Sequence, residues 1–589
     1  MSTPPPPDAH EVGPLATLRE EGHRVVRPDG RAILVVCHED EVFAVDNRCP
    51  HMGFPLARGT VDDGVLTCHW HHARFALSCG DTFDPWADDV QSYPVTVVDD
   101  TVYVDPEPAT HRDPVERWSE RLEAGLERNL RLVIAKSVIG LLEAGVSPTD
   151  PVATAVRFGT RYRADGWGPG LTILTAMTNV LPALATEDRK RALYQGVVEV
   201  ASDCAGESPR FDQDAFTDHD LPRERLANWL RDTVEVRDAD GTERCLRTAV
   251  AAGHDDDVLA ALLVTAATDH RYLDGGHTLD FVNKACEALD HVGWDHADRV
   301  LPALVTSLTD ATRSEERSSW RQPEDLAGRL EETFDRLDDL REAGADATWS
   351  EPDEFVETLL GDDHGRVVAA LADAVAAGAT PRQLARSVAL AAATRVARFS
   401  TANEFSDWNT VHHTFTYANA THALADRVSD ADRAVYKAVF DGATNVYLDR
   451  FLNSPPAPLP DRGSETADVD ALLDALDETM HREGSVDEAG RLVAHALDAG
   501  DGDDAGDTLD SVRQRLGAAL VREDAGFHTF QALEAGFAQV DRRETVDERR
   551  VCLIAVARYL AAHAPTRRER EQTFTIAARL HRGEQIHGE

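Results

Sequence analysis

Cys49-Pro50-His51 and, beyond residues 52–67, Cys68-His69-Trp70-His71 form two short loops with the pattern C-x-H…C-x-x-H. Each loop offers one thiolate and one imidazole. Glu41-Val42-Phe43-Ala44-Val45 alternates in polarity and runs into the first loop; Val65-Leu66-Thr67 leads into the second and Arg74-Phe75-Ala76-Leu77 leaves it. Alternation with a period of two is the signature of a half-buried strand. Working outward, the β-rich runs Arg24–Arg27 and Ala32–Cys37 bracket the turn Pro28-Asp29-Gly30, and Tyr93–Val98 and Thr101–Val104 bracket Asp99-Asp100 at hairpin spacing. Pro55, Pro85, Gly53, Gly59, Gly64 and Gly80 punctuate the connections. The segment therefore reads as a small antiparallel β-domain whose loops carry four candidate ligands: Cys49, His51, Cys68 and His71.

Three chemistries compete for those four side chains. Zinc accepts two Cys and two His, but zinc-finger spacing pairs the cysteines first and the histidines second, whereas here each loop runs Cys then His. A Cys49–Cys68 disulfide leaves both histidines unexplained. A diiron cluster uses all four, with two thiolates on one iron and two imidazoles on the other. In this last respect residues 13–107 resemble the Rieske [2Fe–2S] family. The resemblance implies that Cys49 and Cys68 hold the inner iron and His51 and His71 the outer one. It selects His71 over His69 and His72, which read as exposed or neighbouring groups. His72 departs from the family, where a glycine commonly follows this ligand, and this bears on how solvent reaches the cluster. High-potential members carry an extra cysteine in each loop. Phe54 and Trp70 stand there, so the ferredoxin-like, lower-potential subtype is implied. Cys37 and Cys79, at strand ends, read as small buried thiols.

The chain has 589 residues and a formal net charge of −45, from 105 acidic and 60 basic side chains. That length calls for several domains. The basic side is nearly all arginine, the lysines being Lys136, Lys190, Lys284 and Lys437. An excess of carboxylates with few lysines suits a cytoplasm of very high salt, where screening removes self-repulsion. A halophilic source is expected, with an acidic, GC-rich mesophile as the alternative. The charge argues against nucleic acid as a partner, since no basic patch is dense enough to neutralise phosphates. No apolar run reaches membrane-spanning length, and Met1-Ser2-Thr3 followed by four prolines lacks the features of a signal sequence. The expected location is cytoplasmic. Eight cysteines do not suggest a disulfide framework.

After Val104 the texture changes to Ala, Leu, Arg, Glu and Asp with helical periodicity. The expected organisation is multidomain α+β: a flexible Pro-rich tail (1–12), the β-domain (13–107), a linker (108–115), an all-helical domain (116–453), a Pro-rich linker (454–466) and a C-terminal helical lobe (467–589). Glu120–Leu142 reads as one long helix. Leu279, Val282, Ala285, Cys286, Leu289 and Val292 form an apolar stripe, Val367–Ala377 and Arg382–Phe399 are further helices, and Ala499–Asp507 is an acidic glycine-rich break. Gly166-Trp167-Gly168-Pro169-Gly170 reads as a tight loop. It lacks the preceding strand of a dinucleotide fingerprint.

Histidines cluster in this region. One group is His270, His277, His291 and His296, with Asp269 and Asp290. The other is His412, His413 and His422, with Glu404 and Asp407. Tyr272, Trp294, Trp408, Phe415 and Tyr417 are interleaved. Helical spacing sets His277, Lys284 and His291 near one line, and Val411, Phe415, Ala418 and His422 on one face. Histidine is the commonest metal ligand, and titratable groups gather at functional sites. These histidines are thus pocket candidates, weighed against caps, buried hydrogen-bonding groups and surface groups. Glu523, His528 and His581 read as packing or surface groups. Asn283, Glu287, Asp290, His291 and His296 partly resemble the mononuclear-iron stretch of Rieske oxygenases, which hold that iron with two histidines and a carboxylate. The Asp290–His291 interval is shorter than in that family, and the strand signal of its catalytic domain is missing. Gly276-His277-Thr278-Leu279 and His413–His422 are loosely similar to questin-oxidase-like helical proteins, which implies oxygenation of an aromatic or ketonic substrate.

Two functional expectations follow. In the first, the chain is an oxidoreductase: the [2Fe–2S] domain takes single electrons from an external reductase or ferredoxin and relays them to an oxygenase-like pocket, with an additional non-haem iron and a small organic substrate. In the second, the domain is a non-catalytic electron carrier or redox sensor and the helices are a protein-docking scaffold. A cluster with a purely structural role is a third possibility.

Overall fold

The computed structural model describes residues 8–109, 113–217, 221–271, 277–428, 432–464, 467–500, 505–584 and 586. The architecture is the expected one, a small antiparallel β-domain followed by a large helical region. The chain divides into two compact units, one of residues up to Pro151 together with those from Glu569, the other Val152–Arg568.

Among the described residues the first unit holds nine strands: β1 (His10–Pro14), β2 (His23–Val26), β3 (Ile33–His38), β4 (Glu41–Asp46), β5 (Thr60–Asp62), β6 (Val65–Thr67), β7 (Arg74–Ala76), β8 (Val95–Val98) and β9 (Thr101–Val104). They form three antiparallel three-stranded sheets, in the orders β1-β9-β8, β2-β3-β4 and β5-β6-β7. Four successive apolar residues of β3 are buried because its two faces serve different cores. Ile33 and Val35 pack with Val12, Leu18, Tyr93 and Val102, while Leu34 and Val36 pack with Val45, Leu66, Phe75 and the two loop cysteines. Successive side chains of a strand point to opposite faces, so a strand covered on both sides must read as an unbroken apolar run.

The boundaries differ from expectation in several places. The tail expected over 1–12 contributes β1 from His10, and residues 1–7 lie outside the described residues. A short helix α1 (Leu15–Glu21) and strand β5 have no counterpart in the sequence reading. The long helix expected over Glu120–Leu142 is two, α2 (Pro114–Glu127) and α3 (Arg131–Glu143). Between them Asn129 has φ +51°, a left-handed conformation that asparagine tolerates and that no helix propagates through. Asp113 caps α2 by accepting from the Val115 and Glu116 amides. Cys37 and Cys79 are half-buried rather than buried. The Glu569–His581 helix packs against α3, within the first unit, although a C-terminal lobe was expected over 467–589.

The second unit is helical. Pro169–Val180 packs on Thr186–Asp203, Pro381–Ala397 on Asp407–Arg427, and Val486–Ala499 on Val546–His563. Residues 501–504, within the expected acidic break, and Tyr272 and Gly276 lie outside the described residues. Among the described residues no helix is long and apolar enough to cross a membrane.

Candidate functional site

The two loops at the end of β4 and β6 are built alike. The Cys49 amide donates to the Phe54 carbonyl (2.8 Å) and the Gly53 amide to the Cys49 carbonyl (2.7 Å); the Cys68 amide donates to the Ala73 carbonyl (2.8 Å) and the His72 amide to the Cys68 carbonyl (2.9 Å). Each cysteine thus anchors a closed turn of the same size. The fifth residue of each turn has positive φ: +79° at Gly53 and +63° at His72. A reversal this tight needs the left-handed region, which glycine enters freely and histidine at a cost of about 1–2 kcal/mol.

Cys49 and Cys68 are buried in the apolar core, while His71 is exposed and His51 half-buried above them. The two thiols hydrogen-bond each other. That contact and burial push the Cys49 thiol up; the bond from Cys49 holds Cys68 down to about 6. The His51 and Met52 amides also donate to the Cys49 sulfur, and the Trp70 and His71 amides to the Cys68 sulfur. The His51 and His71 rings sit edge to face with centroids 4.8 Å apart, and Trp86 lies 4.8 Å from His51 on another side. Burial, then His71 and Lys136, push His51 down to about 4, so it is a neutral donor at pH 7. Its Nδ1 is buried without a hydrogen-bond partner. Two buried sulfurs ringed by amides and two imidazoles, one with an orphaned nitrogen, form a donor set that could hold a diiron cluster. All eight cysteines are free thiols, so the disulfide alternative is not realised. His69 and His72 are exposed, and His69 reaches Thr60 (3.2 Å).

A family model described as the Rieske [2Fe-2S] domain matches residues 8–94. The ferredoxin component of the p-cumate 2,3-dioxygenase system of Pseudomonas putida is 34% identical over 84 residues, 14% of this chain and 71% of that protein. This chain belongs to the Rieske [2Fe–2S] family. Human Apoptosis-inducing factor 3 is 37% identical over 73 residues, a match that spans only 12% of this chain and 12% of that protein's length. Among solved structures, the ferredoxin of carbazole 1,9a-dioxygenase from Nocardioides aromaticivorans IC177 is 26% identical, with a TM-score of 0.16, covering 17% of this chain and 98% of that one. The Rieske domain implies a [2Fe–2S] cluster, and with it one-electron chemistry.

Outside the Rieske domain, the helical unit gathers three histidines. His277 opens the His277–Val292 helix, His413 lies on Asp407–Arg427, and His528 is the second residue of Phe527–Asp541. One ring nitrogen of each lies within 4.8 Å of the others, and the Nε2 atoms of His413 and His528 are 2.7 Å apart. Burial and the neighbouring imidazoles push His277 down to about 4 and His413 to about 3, and burial with the nearby His563 pushes His528 to about 4. His412 packs 5.4 Å from His528 and 5.0 Å from Tyr559, fully buried, with neither ring nitrogen bonded. His277 Nδ1 and His563 Nε2 are likewise buried without partners.

The other candidates do not join this group. His270 bonds Glu315 (2.8 Å) and Glu235 (3.1 Å) as a structural tie. His291 bonds the Asn179 side chain (2.7 Å) at the edge of a separate polar pocket that also contains Glu287 and Glu534. His296 ends a short turn, and His422 is buried against Gln539 (3.2 Å). The likeness of Asp290, His291 and His296 to an oxygenase iron stretch therefore fails in geometry. Asp290 pairs with Arg427, and His291 with Asn179. His528 was expected to be a packing or surface group. The signal missed was the polar series His528, Gln531 and Glu534 along one face of an otherwise apolar helix.

Proposed function

We propose that the chain is an iron–sulfur oxidoreductase in which the Rieske domain, residues 13–107, relays single electrons to an oxygenase-like metal site in the helical region. Cys49 and Cys68 hold the inner iron in this reading, and His51 and His71 the outer iron. The bound cluster supplies reversible one-electron exchange. The chain's own residues do the rest: the loop amides donate to the cysteine sulfurs, the apolar core excludes water behind them, and the two imidazoles face outward where electrons enter. An external reductase or ferredoxin supplies those electrons. With Phe54 and Trp70 in place of additional cysteines, a lower-potential cluster is expected.

The observation that carries the second half is the convergence of His277, His413 and His528. Three neutral, half-buried imidazoles, with unpartnered nitrogens around them, suit an intermediate transition metal, with non-haem iron as our assignment. A small organic substrate is the proposed target. The setting is taken as a halophilic cytoplasm. This −45 chain is not expected to bind nucleic acid.

The test is metal analysis with EPR on protein purified without oxygen. Iron beyond the two atoms of the cluster, lost in H277A, H413A or H528A while the rhombic cluster signal survives, is expected. Zinc without iron in the wild type removes the redox reading altogether. The coverage of a stand-alone ferredoxin component by the Rieske domain favours one alternative, an electron carrier or redox sensor with a helical docking scaffold. Iron at two per chain, unchanged in those variants, selects it.

A further inference from the structure

Lys136 is one of four lysines in a chain of net charge −45, and it is 5% exposed. It lies on α3, beyond the 8–94 span that matches the Rieske domain. Its Nζ donates to the Pro50 carbonyl, between Cys49 and His51 in the first loop. Its charge is felt by both neighbours, opposing protonation of His51 and interacting with the Cys49 sulfur. Burial pushes the ammonium down to about 8, which leaves it charged at neutral pH.

Lys136 does not stand alone. From α2, Arg117 pairs with buried Asp88 at 2.8 Å, and Arg121 sits 3.8 Å from the same carboxylate. Arg121 also donates to the Pro85 carbonyl (3.0 Å) and to that of Ala87. Trp86, which packs on His51, sits between those two carbonyls. Helices outside the family match thus bring three cations against Asp88 and Asp89 of the Rieske domain, behind the first loop. In a low-dielectric setting a fixed charge acts far more strongly than at the surface. A cation there favours the state that carries one more electron, and an anion opposes it.

We propose that Lys136 is a positioning residue that sets the reduction potential of the Rieske cluster, holding the Pro50 carbonyl and placing a buried positive charge against the first loop. The inference rests on the Rieske reading. It makes the redox centre of this chain a joint product of the β-domain and α2–α3.

The test uses full-length protein and EPR-monitored redox titration of wild type, K136M, K136R and D88N. Removing the cation in K136M moves the midpoint to more negative values, and removing the anion in D88N moves it to more positive values. K136R stays near wild type. Opposite signs from two neighbouring substitutions are not produced by general loosening. A K136M midpoint equal to wild type, with an unchanged EPR spectrum, overturns the proposal, as do shifts of the same sign in both variants. If K136M fails to fold, D88N with an unmoved or more negative midpoint overturns it. A wild-type chain that assembles no cluster sinks the Rieske reading beneath it, whereas a cluster with an unresponsive midpoint sinks only this inference.

Discussion

The Nε2 atoms of His413 and His528 lie 2.7 Å apart, so one ring donates and the other, which must be neutral at that nitrogen, accepts. Two imidazoles from helices far apart in sequence, with His277 beside them, spend ring nitrogens on each other instead of on water. A cation that binds the folded state and not the unfolded chain would replace that bond. At a free metal concentration of 100 times Kd the gain is about 2.7 kcal/mol. Thermal unfolding with and without added Fe(II) should show that gain in the wild type and lose it in H528A. Equal metal-dependent shifts in both proteins count against a three-histidine site.

The helices that carry His277 and His528 make a pH-sensitive contact one turn further on. Gln531 Nε2 donates to Asp280 Oδ2, while Asp280 Oδ1 and Gln531 Oε1 are both buried without partners. Burial pushes the Asp280 carboxyl up to about 7, with Glu534 and Glu287 adding to the rise and Lys284 opposing it. A carboxyl raised in the folded state contributes stability that is complete below its unfolded value near 3.8 and is lost as pH rises toward 7. Wild-type protein should therefore lose stability between pH 4 and 7 at a slope of up to about 1.4 kcal/mol per pH unit from this group. Asp280→Asn should flatten that slope and raise the melting temperature more at pH 8 than at pH 5. Parallel pH profiles for the two proteins would contradict the assignment.

The matched turns of the cluster loops predict substitutions of opposite sign. His72, at φ +63°, gains from His72→Gly by about 1 kcal/mol, since glycine enters the left-handed region without steric cost. Gly53→Ala loses stability twice over. Its φ is +79°, and an added Cβ would come within 3.3 Å of both Ile586 and Leu580. Chemical denaturation of the two variants checks the signs. A neutral Gly53→Ala would mean that the C-terminal segment does not press on the first loop.

The charge balance predicts a salt response. At 1 M salt the screening length falls to about 3 Å, which removes most repulsion among exposed carboxylates. Exposed arginine–carboxylate pairs such as Arg515–Asp474 contribute little either way. The melting temperature should rise steeply with KCl and the chain should lose structure in dilute buffer. A melting temperature independent of salt between 0.1 and 2 M would favour the mesophilic alternative.

Much of the Rieske domain was legible because its information is local. A strand entering a Cys-x-His turn, a hairpin at Asp99-Asp100 and a doubly buried β3 each follow from periodicity over a few residues. The first strand was hidden by its setting beside a proline run, and its pairing with β9 is a long-range fact. The break at Asn129 was hidden because asparagine is tolerated in helices and turns alike. The helical region announced its class through composition, but its histidines could not be sorted by spacing. His277, Lys284 and His291 share a line on one helix, yet they face three different environments.

Sequence alone therefore settled the presence of a small β-domain with two Cys/His loops, the helical character of the remainder and the surplus of negative charge. These rest on residue types within a turn or two of each other. Tertiary structure alone decided that His528, and not His291 or His422, meets His277 and His413. It also decided that Lys136 reaches the first loop. Such meetings depend on how segments 86 or more residues apart pack against one another, and packing geometry is a property of the assembled core that no local pattern encodes.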